Sequence, residues 1–237
     1  MAWSKRKYLT VKVLLTGSSG LLGSKLIEYF PSCYCPSHKD FDISSDINIL
    51  KKTLQEKLGG LDLLIHCASL KNEACTKDYH QAFKTNCLGT LNMVSLCHEF
   101  NSKIVFISTD YIFKGDNGDY SINDSFYPVN YYGETKLAGE FCVKSLKKYL
   151  IIRLSFCPDV YPYETAFIDQ ITTRLKITDA VTQIVNAVKN DYAGIIHLKG
   201  KKQSVYDYAI STSNGKEIKK IKLADNSLIR PKDSSLI

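Results

Sequence analysis

The segment Thr16-Gly17-Ser18-Ser19-Gly20-Leu21-Leu22-Gly23 most constrains what this chain can fold into, because it separates two apolar patterns of different period. Upstream, Leu9–Thr16 has the apolar, β-branched content of a buried strand. Downstream, Gly20–Phe30 repeats its apolar residues at helical spacing and is closed by Pro31. A strand that runs straight into a helix must turn within a few residues, and glycine permits that turn. The first glycine makes the bend, the second lets an anionic group approach the backbone, and the third lets helix and strand pack closely. The helix N-terminus adds free N–H groups and partial positive charge. Gly17, Ser19, Gly20, Leu21 and Leu22 are therefore expected to hold the pyrophosphate of a dinucleotide.

The same alternation continues along the chain. Strands are expected at Leu9–Thr16, Ser32–Pro36, Leu61–Cys67, Lys103–Ser108, Tyr149–Leu154 and Gly194–Leu198. Helices are expected at Gly20–Phe30, Ile47–Leu58, Tyr79–Phe100, Tyr131–Lys147, Asp179–Lys189 and Val205–Ser213. Strands alternating with helices predict an α/β fold on a parallel sheet. The polar connection Lys114–Asn130 is long for such a fold, which points to a functional loop. The last dozen residues are polar and are expected to be weakly ordered.

The 237 residues are enough for one large domain or a domain with a small lobe, and 44% hydrophobic with 23% charged residues is ordinary for a globular protein. No apolar run reaches the roughly 20 residues of a membrane span. Met1–Lys7 is basic but lacks a secretory core, so a cytoplasmic location is expected. The eight cysteines have no regular spacing and no zinc-ligand pattern, and are read as reduced, mostly buried thiols. The net charge is +7, and residues 199–237 hold nine Lys/Arg against four acids. No nucleic-acid motif accompanies them, which leaves a solvated surface or the wall of a phosphate-binding pocket.

About twenty positions beyond the first glycine, a dinucleotide fold reads the ribose. Ser37, His38 and Lys39 stand there, before Asp40. A basic residue accepts a 2′-phosphate where a carboxylate would bind the 2′-hydroxyl, so NADP(H) is favoured, with NAD(H) as the alternative. Asp42 and Ile43 are candidates for lining the adenine, Asp42 being equally a turn cap.

Tyr132 and Lys136 stand four residues apart in Pro128-Val-Asn-Tyr-Tyr-Gly-Glu-Thr-Lys136, one helical turn on one face. An ammonium beside a phenol lowers its pKa, so this pair predicts a tyrosine that passes a proton to a carbonyl oxygen near neutral pH. Ile104–Thr109 reads as a buried strand delivering Ser108 and Thr109 to the carboxyl edge of the sheet, where ligands bind. Thr109 is expected to hydrogen-bond a substrate carbonyl. Lys136 would also bind the nicotinamide ribose. Asn86 either holds a water linked to Lys136 or simply bonds helix backbone. His66 is assigned to its strand and turn.

Together these residues resemble the extended short-chain dehydrogenase/reductase superfamily. Ser108-Thr-Asp-Tyr-Ile-Phe-Lys-Gly115, followed by Pro128-x-Asn-x-Tyr-Gly-x-Thr-Lys-Leu-x-Gly-Glu140, resembles its dTDP-4-dehydrorhamnose reductase family. His66-Cys67-Ala68-Ser69 matches the turn under the cofactor. Arg153-Leu-Ser-Phe156 resembles an Arg-x-Ser-Trp stretch, with Phe156 in place of the tryptophan at the sugar site. Gly194–Leu198, Val205–Tyr208 and Arg230-Pro231 match more weakly. The resemblance implies a Rossmann-type doubly wound parallel sheet with a small C-terminal substrate lobe. It divides the chain into residues 1–155, which bind the cofactor and carry the Tyr-x-x-x-Lys pair, and residues 156–237, a reduced substrate lobe interleaved with the last strand and helices. The lobe is shorter than the family's between about Tyr163 and Asp179.

What the resemblance implies for function is an oxidoreductase that reduces a nucleotide-linked 4-keto-6-deoxy sugar with NADPH, in deoxysugar (rhamnose) biosynthesis. Thr109, Asp110, Tyr111 and Phe156 would touch the substrate, and Cys67, Ala68 and Ser69 the cofactor. Related 4,6-dehydratases carry Asp-Glu after the threonine, and epimerase-reductases a cysteine there; Asp110-Tyr111 fits reduction alone. The alternative is a non-catalytic NADP-binding partner subunit, since the regulatory β subunit of methionine adenosyltransferase resembles the same family. The expected partners are a nucleotide sugar and a second copy of the chain through the Tyr131–Lys147 helix, with no nucleic acid and no membrane.

Overall fold

The computed structural model describes residues 11–237. The first residues of the expected strand, Leu9 and Thr10, and the basic stretch Met1–Lys7 lie outside the described residues. Five parallel strands, β1 (Val13–Thr16), β2 (Leu63–His66), β3 (Lys103–Thr109), β4 (Tyr149–Leu154) and β5 (Gly194–His197), pair in chain order. Leu14 pairs with Leu64, Leu64 with Ile104, Ile104 with Tyr149, and Leu150 with Gly194. The expected strand Ser32–Pro36 shrinks to one parallel bridge, Tyr34 to Leu14, on the far side of β1. Pro31 and Pro36 frame this stretch and remove two ladder donors. The chain crosses first to one side of β1 and then to β2 on the other, so the topological switch point lies at the end of β1.

Strand residues alternate between two apolar layers. Leu15, Ile65, Val105 and Ile152 meet α1 (Leu21–Leu26) and α5 (Ile177–Lys189) through Leu22, Leu26, Ala180, Val181 and Ile184. Leu14, Leu64, Ile104 and Ile151 meet α2 (Ile47–Leu58), α3 (Gly89–Glu99) and α4 (Tyr131–Val143) through Leu50, Leu54, Met93 and Val143. A doubly wound sheet buried on both faces follows from those runs. The helix expected over Tyr79–Phe100 begins with an α turn at Tyr79–Ala82 and passes through a π-helical stretch, Phe83–Leu88, before α3. A short helix at Asn72–Lys77 precedes it.

Between β4 and α4 an ion pair is fully buried. Arg153 of β4 donates from Nε and Nη2 to Glu140 of α4, the Nη2 contact being 2.8 Å, and Ser108 donates to the same carboxylate. Arg153 is further flanked by the rings of Phe113 and Phe126.

Beyond β4 the chain builds a lobe of three two-stranded pairs and α6 (Val205–Thr212), centred on Tyr161, Phe167, Val205 and Tyr208. Residues 177–197 return to the main sheet as α5 and β5. The segment at 229–237, expected to be weakly ordered, is instead laced into the fold. Its backbone bonds Gly115 (Asp233 N to O, 2.7 Å), Ile171 (Ile171 N to Lys232 O, 2.7 Å) and Tyr120 (Tyr120 N to Ser235 O, 2.8 Å). Ser234, Ser235 and Leu236 are buried. Polarity here serves hydrogen bonding in a buried groove, so composition misleads. Cys33 and Cys35 are joined as a disulfide, unlike the expected reduced thiols, whereas Cys67, Cys75, Cys87, Cys97, Cys142 and Cys157 are free. Among the described residues no helix is long and apolar enough to cross a membrane, and no cluster suits a metal ion.

Candidate active site

A cavity of about 430 Å³ opens at the carboxyl ends of β1–β4, between the sheet and the lobe. On the sheet side it is lined by Gly17, Gly20, Leu21, Leu22 and Gly23, by Cys67 and Ser69, and by Thr109, Tyr132 and Lys136. The lobe adds Phe156, Tyr161, Gln170, Arg174 and Arg230, so it walls the other side of the site.

The glycine loop is as tight as its spacing demands. Gly17 has φ +73°, and a Cβ there would lie 2.5 Å from the Ala68 backbone nitrogen; one on Gly23 would lie 2.2 Å from the Gly17 carbonyl oxygen. Gly20 N donates to Gly17 O at 3.0 Å, closing the turn. The backbone is thus bare at the cavity lip, which suits close approach by a pyrophosphate. Ser19 is exposed on this turn, whereas Ser18 is buried and its hydroxyl reaches the Pro36 carbonyl at 3.2 Å. Ala68 backs Gly17.

The expected ribose and adenine residues lie apart from the cavity lining. His38 and Lys39 are exposed. Asp42 accepts from Ser44 N and Oγ at 2.9 and 2.8 Å and stands 3.8 Å from His38, so it caps its own turn. Ile43 is buried against Gly89.

The chemistry-bearing residues come together, with two departures from expectation. Tyr132 and Lys136 both project from the first turns of α4, whose N-cap Asn130 accepts from Gly133 N at 2.9 Å. Burial pushes the Tyr132 phenol well above its ordinary pKa, Thr109 opposing this by hydrogen bonding and Asp110 adding to it. Lys136 does not offset it. Its ammonium lies 3.9 Å from the centroid of the Phe106 ring, and burial lowers its own pKa to about 8. The expectation that Lys136 acidifies Tyr132 is therefore corrected for the chain alone: i, i+4 spacing places both on one face, but a long lysine stem lets the charge settle elsewhere.

The second departure is at Asp110. Both carboxylate oxygens are occupied inside the protein, Oδ1 by Thr109 Oγ1 at 3.1 Å and Oδ2 by Ser234 Oγ at 2.6 Å. Asp110 reaches the cavity wall, yet its carboxylate is not free for a substrate. Thr109 in turn accepts from Tyr111 N at 3.2 Å, so its hydroxyl proton is directed at Asp110 and not at a substrate carbonyl.

Asn86, buried in the π-helical stretch, takes the second of its two expected roles and bonds backbone. Its amide oxygen accepts from Leu70 N at 2.8 Å and Ser69 Oγ at 3.2 Å, and its nitrogen donates to Thr135 Oγ1 at 2.9 Å and Leu70 O at 3.0 Å. The amide ties the Cys67–Leu70 turn to α4, and its capacity is spent on protein groups, leaving none for a bridging water. His66 is neutral in the sheet core, held by Thr16 Oγ1 at 2.7 Å and Thr90 Oγ1 at 3.1 Å, with its pKa lowered to about 3 by burial.

Tyr111 packs edge-on against Tyr132, 6.2 Å between centroids, and Gln170 donates to its hydroxyl. Phe156 lines the cavity. The residues that sequence reasoning missed are cationic. Lys71, Arg174 and Arg230 line the lobe side, and none of them is in an ion pair among the described residues. Arg174 donates to Ser155 Oγ, and Arg230 lies over Phe167 with its Nε buried and without a hydrogen-bond partner. Asn72 Oδ1, on the same wall, is likewise unpaired. For Arg230 the available signals were the basic excess of residues 199–237 and the weak match of Arg230-Pro231 to the resembled family, neither of which assigned it to the cavity; nothing in the spacing pointed to Lys71 or Arg174.

The family model described as the RmlD substrate binding domain matches residues 11–182. A dTDP-4-dehydrorhamnose reductase of Mycolicibacterium smegmatis is 28% identical over 162 residues, covering 66% of this chain and 46% of that protein. A probable low-salt glycan biosynthesis reductase of Haloferax volcanii, Agl14, is 30% identical over 160 residues, covering 60% of this chain and 52% of its own length. The chain thus spans about half the length of the curated relatives it matches. Among solved structures, a dTDP-4-dehydrorhamnose reductase of Bacillus anthracis in complex with NADP superimposes with a TM-score of 0.86 at 26% identity, over 96% of this chain and 90% of that one.

Proposed function

Since the chain belongs to the RmlD substrate-binding family, we propose that it is an NADPH-dependent reductase of a nucleotide-linked 4-keto-6-deoxy sugar, acting in deoxysugar biosynthesis of the dTDP-rhamnose type. The observation that carries this reading is one cavity that joins a bare glycine cradle, the Thr109/Tyr132/Lys136 group and three cations that form no contact ion pair among the described residues. A nucleotide sugar brings a diphosphate, and Lys71, Arg174 and Arg230 supply the charge and donors to receive it. The unpaired Arg230 Nε and Asn72 Oδ1 offer a donor and an acceptor on the same wall. A carboxylate pair or cysteine for elimination or epimerisation is absent at Asp110-Tyr111.

The nicotinamide cofactor supplies hydride to the carbonyl carbon when bound. Gly17, Gly20 and the adjoining Leu21 and Leu22 hold its pyrophosphate, and Cys67, Ala68 and Ser69 form the turn beneath it. Tyr132 gives its proton to the carbonyl oxygen, and its high pKa in the buried site suits an acid that stays protonated until charge develops on that oxygen. Lys136, still protonated at pH 7, orients the nicotinamide ribose. Phe156 and Tyr111 exclude water around the sugar. Lys39 and His38, exposed beyond the turn, favour NADP(H) over NAD(H) through the 2′-phosphate.

A homodimer through α4 belongs to the same reading, supported by the exposed rings of Tyr79, Phe83 and Phe141 along that flank, as does a cytoplasmic setting. Purified protein, NADPH and dTDP-4-keto-6-deoxyhexose test the proposal by absorbance loss and product analysis. Turnover is expected, and Tyr132→Phe is expected to slow it by about 10²–10⁴-fold. NADPH binding without turnover of several nucleotide-linked keto sugars would leave a non-catalytic partner subunit instead. A Lys39→Ala variant that discriminates NADPH from NADH as well as the parent overturns the 2′-phosphate assignment.

A further inference from the structure

Four contacts from one segment surround the site, two of them made directly to the elements that carry the reacting groups. Ser234 Oγ donates to Asp110 Oδ2 at 2.6 Å, across 124 positions of sequence. Pro231 O accepts from Gln170 Nε2 at 3.1 Å, and Gln170 also reaches the Tyr111 hydroxyl. Ile229 O accepts from Asn130 Nδ2 at 2.9 Å and from Asn72 Nδ2 at 3.3 Å. Asn130 is the residue whose side-chain oxygen caps α4. The segment therefore grips the end of β3 on one side and the start of the Tyr132 helix on the other.

We propose that residues 229–236 are a positioning element for catalysis, in which Ser234 acts through Asp110 to fix the Thr109 hydroxyl beside Tyr132. This rests on the reductase reading. The Ser234 side chain is itself placed by backbone, Ser234 N donating to Ile171 O at 3.2 Å and the flanking residues bonding Gly115 and Tyr120. Its hydroxyl is therefore aimed, not merely nearby. Asp110 is almost wholly buried at the cavity wall, so a carboxylate oxygen deprived of Ser234 loses a donor where solvent is scarce. It would rotate or take up a proton, and either event frees the Thr109 proton that now points at Oδ1. A released Thr109 hydroxyl is free to turn, and the oxygen beside Tyr132 no longer has a fixed set of partners. Ser234 and Asp110 are thus positioning residues: neither needs to touch substrate, and their effect falls on the proton-transfer step more than on binding.

The test uses the full chain with NADPH and the dTDP-linked keto sugar. Ser234→Ala is expected to lower kcat about tenfold, with KM and the NADPH dissociation constant within about twofold of the parent, as loss of orientation alone does. Ser234→Thr, which keeps the hydroxyl, is expected to restore kcat to within about threefold. A Ser234→Ala kcat unchanged within about twofold overturns the proposal, and so does a fall matched by equal losses of NADPH affinity and melting temperature. If the parent reduces none of the keto sugars, the reductase reading fails on its own. A crystal structure of Ser234→Ala then judges the contact network independently: Asp110 turned away from Thr109 supports it, and both residues unmoved overturn it.

Discussion

The ammonium of Lys136 rests 3.9 Å from the centre of the Phe106 ring, in a site where burial holds its pKa near 8 instead of 10.5. The folded chain therefore binds this proton more weakly than the unfolded chain. At pH 7 both states carry it, and the folded state bears a desolvation cost of roughly 3 kcal/mol. Stability from this group rises as pH climbs from about 8 to the unfolded value and is level above it. Lys136→Met, which keeps the stem and drops the charge, is expected to raise the melting temperature at pH 7, to lose that advantage by about pH 10.5, and to abolish reduction. Thermal unfolding of both proteins across that range measures it.

Gly23 packs against the first turn of its own loop, and an added Cβ would meet backbone atoms that cannot yield. Gly23→Ala is expected to destabilise the fold by about 1–3 kcal/mol and to weaken NADPH binding, because the Gly17 carbonyl is displaced with it. Urea unfolding and fluorescence titration give the two values.

Arg153 and Glu140 share a site that is closed to solvent. Arg153→Met leaves the carboxylate buried with Ser108 as its remaining donor, and a loss of about 3–5 kcal/mol is expected. Replacing both, Arg153→Met with Glu140→Leu, is expected to recover most of it, since no charge is then stranded. A double variant as unstable as the single one would show that packing, not charge, sets the cost.

Arg230 lies on the lobe wall, away from the glycine loop. Arg230→Met is expected to raise the KM for the nucleotide sugar about 10–100-fold, with NADPH affinity within about twofold, if Arg230 receives the substrate's phosphates as proposed. Steady-state kinetics beside cofactor titration separates the two. Equal loss of both affinities would place Arg230 in scaffold and not in substrate binding.

Much of this fold was legible locally. The glycine spacing after Leu9–Thr16, the five strands and the helices at Ile47–Leu58 and Val205–Ser213 follow from periodicity and backbone sterics, which act over a few residues. The Tyr132/Lys136 helix was legible for the same reason, and the structure adds Asn130 as its cap. Errors arose where distance along the chain mattered. Ser32–Pro36 has strand composition, but its prolines and a single neighbour leave one bridge. The polar stretch after Ile229 looked weakly ordered because its partners, Asp110, Gly115, Tyr120 and Ile171, are 58 or more residues away.

The amino-acid sequence by itself determined a doubly wound α/β sheet, a cradle for a dinucleotide at Gly17–Gly23, and a tyrosine and lysine on one helical face at its carboxyl edge. Those depend on short-range sterics and on the period of apolar residues. Tertiary structure alone decided the electrostatics: Lys136 settled over Phe106, Asp110 was consumed by Thr109 and Ser234, and Arg174 and Arg230 came to face the cavity. Burial and long-range hydrogen bonds set those states, and neither can be read from spacing, because each depends on which distant groups fill the remaining volume.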